Sequence, residues 1–179
     1  MRLILAIAIL PGLAFAQGTA PEDFGTINPE ELTMNKVLED IAAGRTTMTN
    51  CAAGYLMTKS GRHGAARQTF GACADDGYTG AMTWMGYLDN NGFGGAYDPD
   101  AAAAWDRRAA EAGDPVGQFN YGLSLLRGYG AAQDTAAGRA LIDAAAGAGL
   151  PIAQRLQAAG YDLEEVTPDA DNWRYAPVN

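Results

Sequence analysis

The chain has 179 residues and is acidic, with 21 Asp and Glu against 12 Lys and Arg and a formal net charge of −9. Because this charge repels nucleic acid and anionic membrane surfaces, we expect neither as a partner. His63 is the only histidine, and serine occurs only twice. Few residues therefore remain for the commonest kinds of acid–base or nucleophilic catalysis.

The first 16 residues have the pattern of a secretory signal peptide. Arg2 precedes an apolar stretch that ends at Ala14-Phe15-Ala16, just before Gln17. A membrane anchor is the alternative, but the stretch is interrupted by Pro11, and it is shorter than the roughly 20 residues of a helical span. We predict cleavage after Ala16, giving a periplasmic or secreted protein with no stable membrane insertion.

Residues 17–47 are predicted to form a linker and an N-terminal capping helix. Asn28-Pro29 begins a segment whose apolar residues, among them Val37 and Ile41, recur at helical spacing until Gly44. At the other end, we expect residues 150–160 to form a partial unit that covers the last repeat. Residues 161–179 are interpreted as an acidic tail.

A repeat of 36 residues occupies the centre of the chain. The residues that recur at this offset are Gly86 and Gly122, Gly92 and Gly128, Asp98 and Asp134, and Gly113 and Gly149. Each unit reads as two helices with apolar stripes, at about 81–91 and 99–112 and then at 117–127 and 135–147. Since glycine inside a helix is unfavourable by about 1 kcal/mol relative to alanine, Gly86 and Gly122 indicate the close approach of another backbone.

Three units are predicted, at residues 48–80, 81–116 and 117–149. The first is degenerate, with Met57 in one helix and Ala66, Phe70 and Ala74 in the other. Phe70 precedes Gly77 by seven residues, whereas Trp105 precedes Gly113 by eight. We therefore expect a one-residue slip and a shorter second helix in the first unit.

The pattern resembles the Sel1-like repeat family, which is related to the tetratricopeptide repeat. The positions that carry the resemblance are Ala81, Met85, Gly86, Gly92, Asp98, Ala102, Trp105, Ala109, Ala110 and Gly113, and then Gly117, Tyr121, Gly122, Gly128, Asp134, Leu141, Ala145, Ala146 and Gly149. The resemblance implies an all-α fold, an α/α superhelical solenoid of about three helix-turn-helix repeats with capping helices. It also implies a groove for proteins, peptides or envelope polymers, and no enzymatic activity.

Cys51 and Cys73 are the only cysteines, and we predict a disulfide between them. In an antiparallel helix pair that turns near residues 59–63, the two positions face each other because their midpoint is residue 62. An exported protein allows such a bond to persist. The resemblance agrees, since some bacterial relatives join the two helices of a repeat in this way. Two buried free thiols are the alternative.

A partner surface is predicted on the first helices of successive repeats. Its residues form an in-register stripe: Trp84, Tyr87 and Asn91 in one unit, then Asn120, Leu123 and Arg127 in the next. Aromatic and arginine side chains dominate binding hot spots. The alternative is that Trp84 and Leu123 only complete the core between repeats.

Other candidate sites have simpler interpretations. His63 is interpreted as a solvated turn residue. Asp89, Asn91, Gly94 and Asp100 imitate a calcium loop, but Phe93 occupies a ligand position. Asp75 and Asp76 are adjacent on a helix and point apart. We therefore expect no catalytic residue, no metal and no cofactor.

The sequence favours an exported scaffold that binds a protein or peptide partner in the bacterial cell envelope. The alternative is a small envelope hydrolase acting on cell-wall peptides. That activity would need an acidic pair that the fold brings together.

We predict that the exported protein begins at Gln17, because the small residues Ala14 and Ala16 stand where signal peptidase cleaves. Intact mass spectrometry of the protein from a periplasmic or secreted fraction checks this. Uncleaved Met1 in the inner membrane fraction would contradict it.

Overall fold

The computed structural model describes residues 33–166, and within this range the chain is all-helical, with no strand. The helices are α1 Met34–Ala42, α2 Met48–Lys59, α3 His63–Asp75, α4 Thr79–Asn91, α5 Pro99–Glu111, α6 Pro115–Arg127, α7 Thr135–Gly147 and α8 Pro151–Ala158, followed by a 3₁₀ helix at Leu163–Val166. The all-α prediction is confirmed. The predicted signal peptide, the start of the capping helix before residue 33 and the tail from residue 167 lie outside the described residues.

The helices form three stacked pairs, α2 with α3, α4 with α5 and α6 with α7. Each helix packs mainly on the helices before and after it in the chain. At the two ends, α1 packs on the first pair and α8 packs on α7. This is the architecture of a short helical solenoid, in which each unit buries its apolar faces against its neighbours.

Aspartates fix where several of the helices begin. Asp98 accepts a hydrogen bond from the backbone N–H of Ala101 at 2.9 Å, and Asp134 accepts one from Ala137 at 2.9 Å. These side chains satisfy N–H groups that the first turn of a helix leaves without partners. Asp98 and Asp134 are therefore the N-caps of α5 and α7, at equivalent positions of the repeat.

The two helices of a unit approach closely at a glycine. A Cβ added to Gly86 would lie 3.2 Å from the carbonyl oxygen of Ala102, and one added to Gly122 would lie 3.0 Å from that of Gly138. A larger residue would push the paired helices apart. The close approach predicted from these helical glycines is confirmed.

The loop within a unit packs on the unit before it. Gly94 has a positive φ of 69° and lies against the backbone of His63, while Gly130 has φ 70° and lies against the backbone of Pro99. Both pairs are related by the 36-residue offset. A side chain at either glycine would meet backbone atoms, so the loops are part of the contact between units.

The predicted slip in the first unit does not occur. The second helices α3, α5 and α7 each have 13 residues, and the residues before them, Arg62, Asp98 and Asp134, are spaced 36 apart. Phe70 thus corresponds to Asp106 rather than to Trp105. The first unit is shorter because its helices are joined by residues 60–62, whereas the second unit uses residues 92–98. A residue of α2 consequently lies 32 residues before its equivalent in α4, as Gly54 does before Gly86.

The folded part continues beyond residue 160. Tyr161 and Leu163 pack on the core formed by α6, α7 and α8, and Val166 is buried in it. The Tyr161 hydroxyl also donates to Asp143 at 2.6 Å. Residues 161–166 therefore belong to the repeat domain and not to the tail, where we had placed them.

A disulfide joins the two helices of the first unit. Cys51 on α2 and Cys73 on α3 are bonded, with their Cα atoms 5.9 Å apart and both residues buried. The bond follows the pairing that the antiparallel turn predicts.

None of the helices within residues 33–166 has the length and apolar character that a membrane crossing requires.

We predict that replacing Cys51 and Cys73 with alanine lowers the free energy of unfolding by about 3 kcal/mol, because the bond closes a loop of 22 residues in the unfolded chain. Urea denaturation checks the value. Far-ultraviolet circular dichroism should show that helicity is retained, since the second and third units do not contain the bond. A variant as stable as the wild type would contradict the prediction.

Candidate functional site

Within residues 33–166, two of the pockets open between the first helices of successive repeat units. The aromatic groove lies between α2 and α4 above Phe70 of α3, with a volume of about 540 Å³. The polar groove lies between α4 and α6 above Asp106 of α5, with a volume of about 240 Å³. The two grooves are equivalent in the repeat, since Phe70 and Asp106 are 36 residues apart.

Contacting rings form the wall of the aromatic groove. Trp84 stacks on Phe70 with ring centroids 5.6 Å apart, and Tyr55 meets Trp84 edge-on at 5.4 Å. Met48, also in the lining, is 75% exposed. An open apolar surface of this kind is typical of sites that bind proteins or ligands.

The polar groove collects most of the predicted partner residues. Tyr87, Asn120, Leu123 and Arg127 all line it. Tyr87 is 43% exposed and also contacts Trp84, at 5.3 Å between ring centroids. The ring contacts among Tyr55, Trp84 and Tyr87 thus connect one groove to the other.

The remaining predicted partner residues lie elsewhere. Trp84 lines the aromatic groove and packs on the core. Asn91 is exposed, lines neither groove, and donates its side-chain amide to the carbonyl of Tyr87 at 2.7 Å. Leu123 packs partly on the core of the third unit. Trp84 and Leu123 therefore pack on the core and also line a groove.

Asp106 is a buried carboxyl group at the floor of the polar groove, and sequence reasoning did not select it. Its residue is 8% exposed, and its Oδ1 accepts a hydrogen bond from Asn120 Nδ2 at 3.1 Å. Burial raises the pKa of Asp106 to about 7, with a smaller opposing effect of the Asn120 hydrogen bond and a further rise from the charge of Asp114. The carboxyl group can therefore gain or lose its proton near neutral pH.

Asp106 differs from the other buried acid of the described residues, Asp89. Asp89 Oδ1 lies 2.6 Å from Arg67 Nη2, and Arg67 Nε also donates to the carbonyl of Phe93 at 2.8 Å. No such ion pair is formed by Asp106 with the basic residues between 33 and 166. The sequence carries a signal for this group, because Asp106 stands between Ala102 and Ala109 on the apolar stripe of α5.

The three junctions between first and second helices show how unusual the polar groove is. In the first unit Gly54 faces Phe70, in the second Gly86 faces Asp106, and in the third Gly122 faces Ile142. The helix that follows each pair adds one residue at the same place. These residues are Trp84 of α4, Asn120 of α6 and Leu156 of α8. The junctions are therefore aromatic, polar and aliphatic in turn.

The other candidate side chains have structural roles. His63 stands at the turn that enters α3 and is partly exposed, but its ring also stacks on Phe93 at 4.4 Å, so solvation alone does not describe it. Its stacking follows from the glycine loop that packs on the start of α3. Asp75 lies 3.7 Å from Arg108, and Asp76 accepts a hydrogen bond from Thr46. Within residues 33–166, no three His, Cys, Asp or Glu side chains gather where they could share a metal ion.

Two solved structures share this architecture. A Sel1 repeat protein from Oxalobacter formigenes superposes with a TM-score of 0.59 at 23% identity, over 70% of this chain and 97% of that one. The chain has the Sel1-like repeat fold. A protective antigen present in uropathogenic Escherichia coli strains, which displays the same repeat fold, superposes with a TM-score of 0.62 at 25% identity. That match covers 74% of this chain but 29% of the antigen. No family model and no curated protein sequence matches the chain.

We predict that Asp106→Asn stabilises this Sel1-like repeat domain at alkaline pH. Since the pKa of Asp106 is about 7 in the fold and 3.8 in an unfolded chain, the folded chain holds a proton that the unfolded chain releases between these values. The free energy of unfolding should then fall as pH rises from 4 to 7, by up to about 4 kcal/mol.

The asparagine variant keeps an acceptor for Asn120 but has no carboxyl group to titrate. Urea denaturation of both proteins across this pH range measures the difference. We expect similar stability near pH 4 and a more stable variant near pH 8. A constant difference across the range would contradict the role assigned to Asp106.

Proposed function

We propose that the protein is an exported scaffold that binds a protein or peptide partner across the aromatic and polar grooves. The observation that carries this proposal is the pair of adjacent open grooves connected by the ring contacts of Tyr55, Trp84 and Tyr87. Rigid aromatic side chains supply large contact areas with little loss of conformational freedom.

The lining suits an extended segment of a partner. The aromatic groove offers apolar surface for aliphatic or aromatic side chains, and the polar groove offers the carboxyl of Asp106, the amide of Asn120 and the guanidinium of Arg127. Stacked helical repeats present surfaces of this kind because binding residues recur from one unit to the next.

The location in the cell envelope is supported by two features. The apolar segment before Gln17 has the composition of a signal peptide, and the Cys51–Cys73 disulfide suits an oxidising compartment. Both favour a periplasmic or secreted protein.

A hydrolase that acts on cell-wall peptides is less well supported. It would need a second free carboxylate near Asp106, and Asp114 is the acid whose charge acts on that group. Asp114, however, accepts hydrogen bonds from the N–H groups of Val116 and Gly117 and from the hydroxyl of Thr79. Its carboxylate is used to begin α6, so we propose a scaffold and not an enzyme.

We predict that replacing both Tyr87 and Arg127 with alanine weakens partner binding by at least about tenfold, since both are exposed groove residues. Envelope extract is passed over the immobilised mature protein, and the retained partner is identified by mass spectrometry. The affinity of this partner is then measured for the wild type and for the double variant. The melting temperature should stay nearly unchanged.

A matched control replaces Arg107, an exposed arginine that lines neither groove, with alanine. This variant loses one of the same residue types and should retain the partner fully. If the groove variant binds normally, or if both variants lose binding equally, the grooves are not the partner surface.

A further inference from the structure

We propose that the polar groove binds a basic side chain, a lysine or arginine of the partner segment, whose cationic group pairs with Asp106. This inference rests on the proposed function, because it names the chemistry of the partner at one of the two grooves. It is carried by the cavity, the buried carboxyl group at its floor and the comparison of the three repeat junctions.

The repeat itself does not require an acid at this position. The equivalent junctions are occupied by Phe70 and Trp84 in the first unit and by Ile142 and Leu156 in the third, and all of these side chains are buried or partly buried. Apolar side chains therefore complete the same packing elsewhere in the chain. Burial of an acid at this position without a cation is unfavourable for the fold, so its role lies in binding.

Among residues 33–166, Asn120 donates a hydrogen bond to the carboxyl group of Asp106, and no basic side chain forms an ion pair with it. Asn120 donates to it at 3.1 Å, and the charged group that acts on it most clearly is another acid, Asp114. Removing a carboxylate from water is unfavourable unless a cation is placed beside it. A lysine or arginine side chain that enters the groove supplies this cation.

Size and charge agree with such a ligand. A volume of about 240 Å³ is below the range of about 300–1,000 Å³ that drug-sized molecules occupy, and it suits one side chain. The net charge of −9 attracts cations towards the protein. Arg127 also lines this groove, but it is exposed and forms no ion pair with Asp106 among the described residues.

The test uses two tripeptides as probes, acetyl-Ala-Lys-Ala amide and acetyl-Ala-norleucine-Ala amide, which differ by the ammonium group of one side chain. Each is titrated into the full mature protein, and the side-chain amide signal of Asn120 is followed by nuclear magnetic resonance. We expect the lysine peptide to bind at least about tenfold more tightly than the norleucine peptide, because a close buried charge pair contributes at least that much.

Three variants separate binding from folding. Asp106→Asn should remove the preference for lysine, whereas Asp100→Asn, which removes an exposed acid from the same helix, should keep it. Asp106→Ile combined with Asn120→Leu copies the third junction, and it should raise the melting temperature while removing lysine binding. For this double variant the backbone amides of α6 report binding.

The proposal is overturned if the wild type shows no tenfold preference for lysine, or if the preference survives in Asp106→Asn. It is also overturned if Asp100→Asn removes the preference equally, because the effect would then come from net charge. None of these results depends on the envelope partner, so the scaffold function can stand if the basic-side-chain inference fails, and the reverse also holds.

Discussion

The close packing of the two helices within each unit at a glycine determines most of the structure. Gly54 lies against Phe70 of the second helix, Gly86 against Ala102 and Asp106, and Gly122 against Gly138 and Ile142. Because no side chain separates the helices there, the facing residue reaches the boundary with the next unit. The residue at this place, Phe70, Asp106 or Ile142, therefore gives each junction its chemical character.

This constraint explains why three similar units give different surfaces. With Ile142 at the facing position, α8 closes the junction and Leu156 is fully buried. With Phe70, the junction is occupied by stacked rings but stays open to one side. With Asp106, a polar cavity remains. The helices hold the same backbone arrangement in each case, so the repeat acts as a frame on which binding properties change by single residues.

The sequence predicts the frame better than the site. The glycine and aspartate spacing predicts the helices of the second and third units to within about two residues at each end, because caps and close contacts are local and repeat. Matching Phe70 with Trp105 because both are aromatic places the first unit one residue out of register with the second. The shorter loop at residues 60–62 changes the offset of α2 but not that of α3, and a single offset cannot describe both.

The predicted partner stripe was incomplete for a related reason. A stripe on first helices selects Tyr87, Leu123 and Arg127, which do share one groove. It omits Asp106, because that residue belongs to a second helix, where it faces Gly86 and lines the groove. Contacts between elements of different units are set by tertiary packing, and periodicity within one helix does not report them.

The disulfide has a structural consequence beyond the stability of the first unit. Cys51 is bonded to Cys73 and also lines the aromatic groove, so the bond fixes α2 beside Phe70 at the base of that groove. Repeat units couple mainly to their neighbours. Loss of the bond should therefore act first on the aromatic groove and on Tyr55, and only weakly on the polar groove one unit further along. The two grooves thus have separate supports, a covalent bond for one and the packing of α4, α5 and α6 for the other.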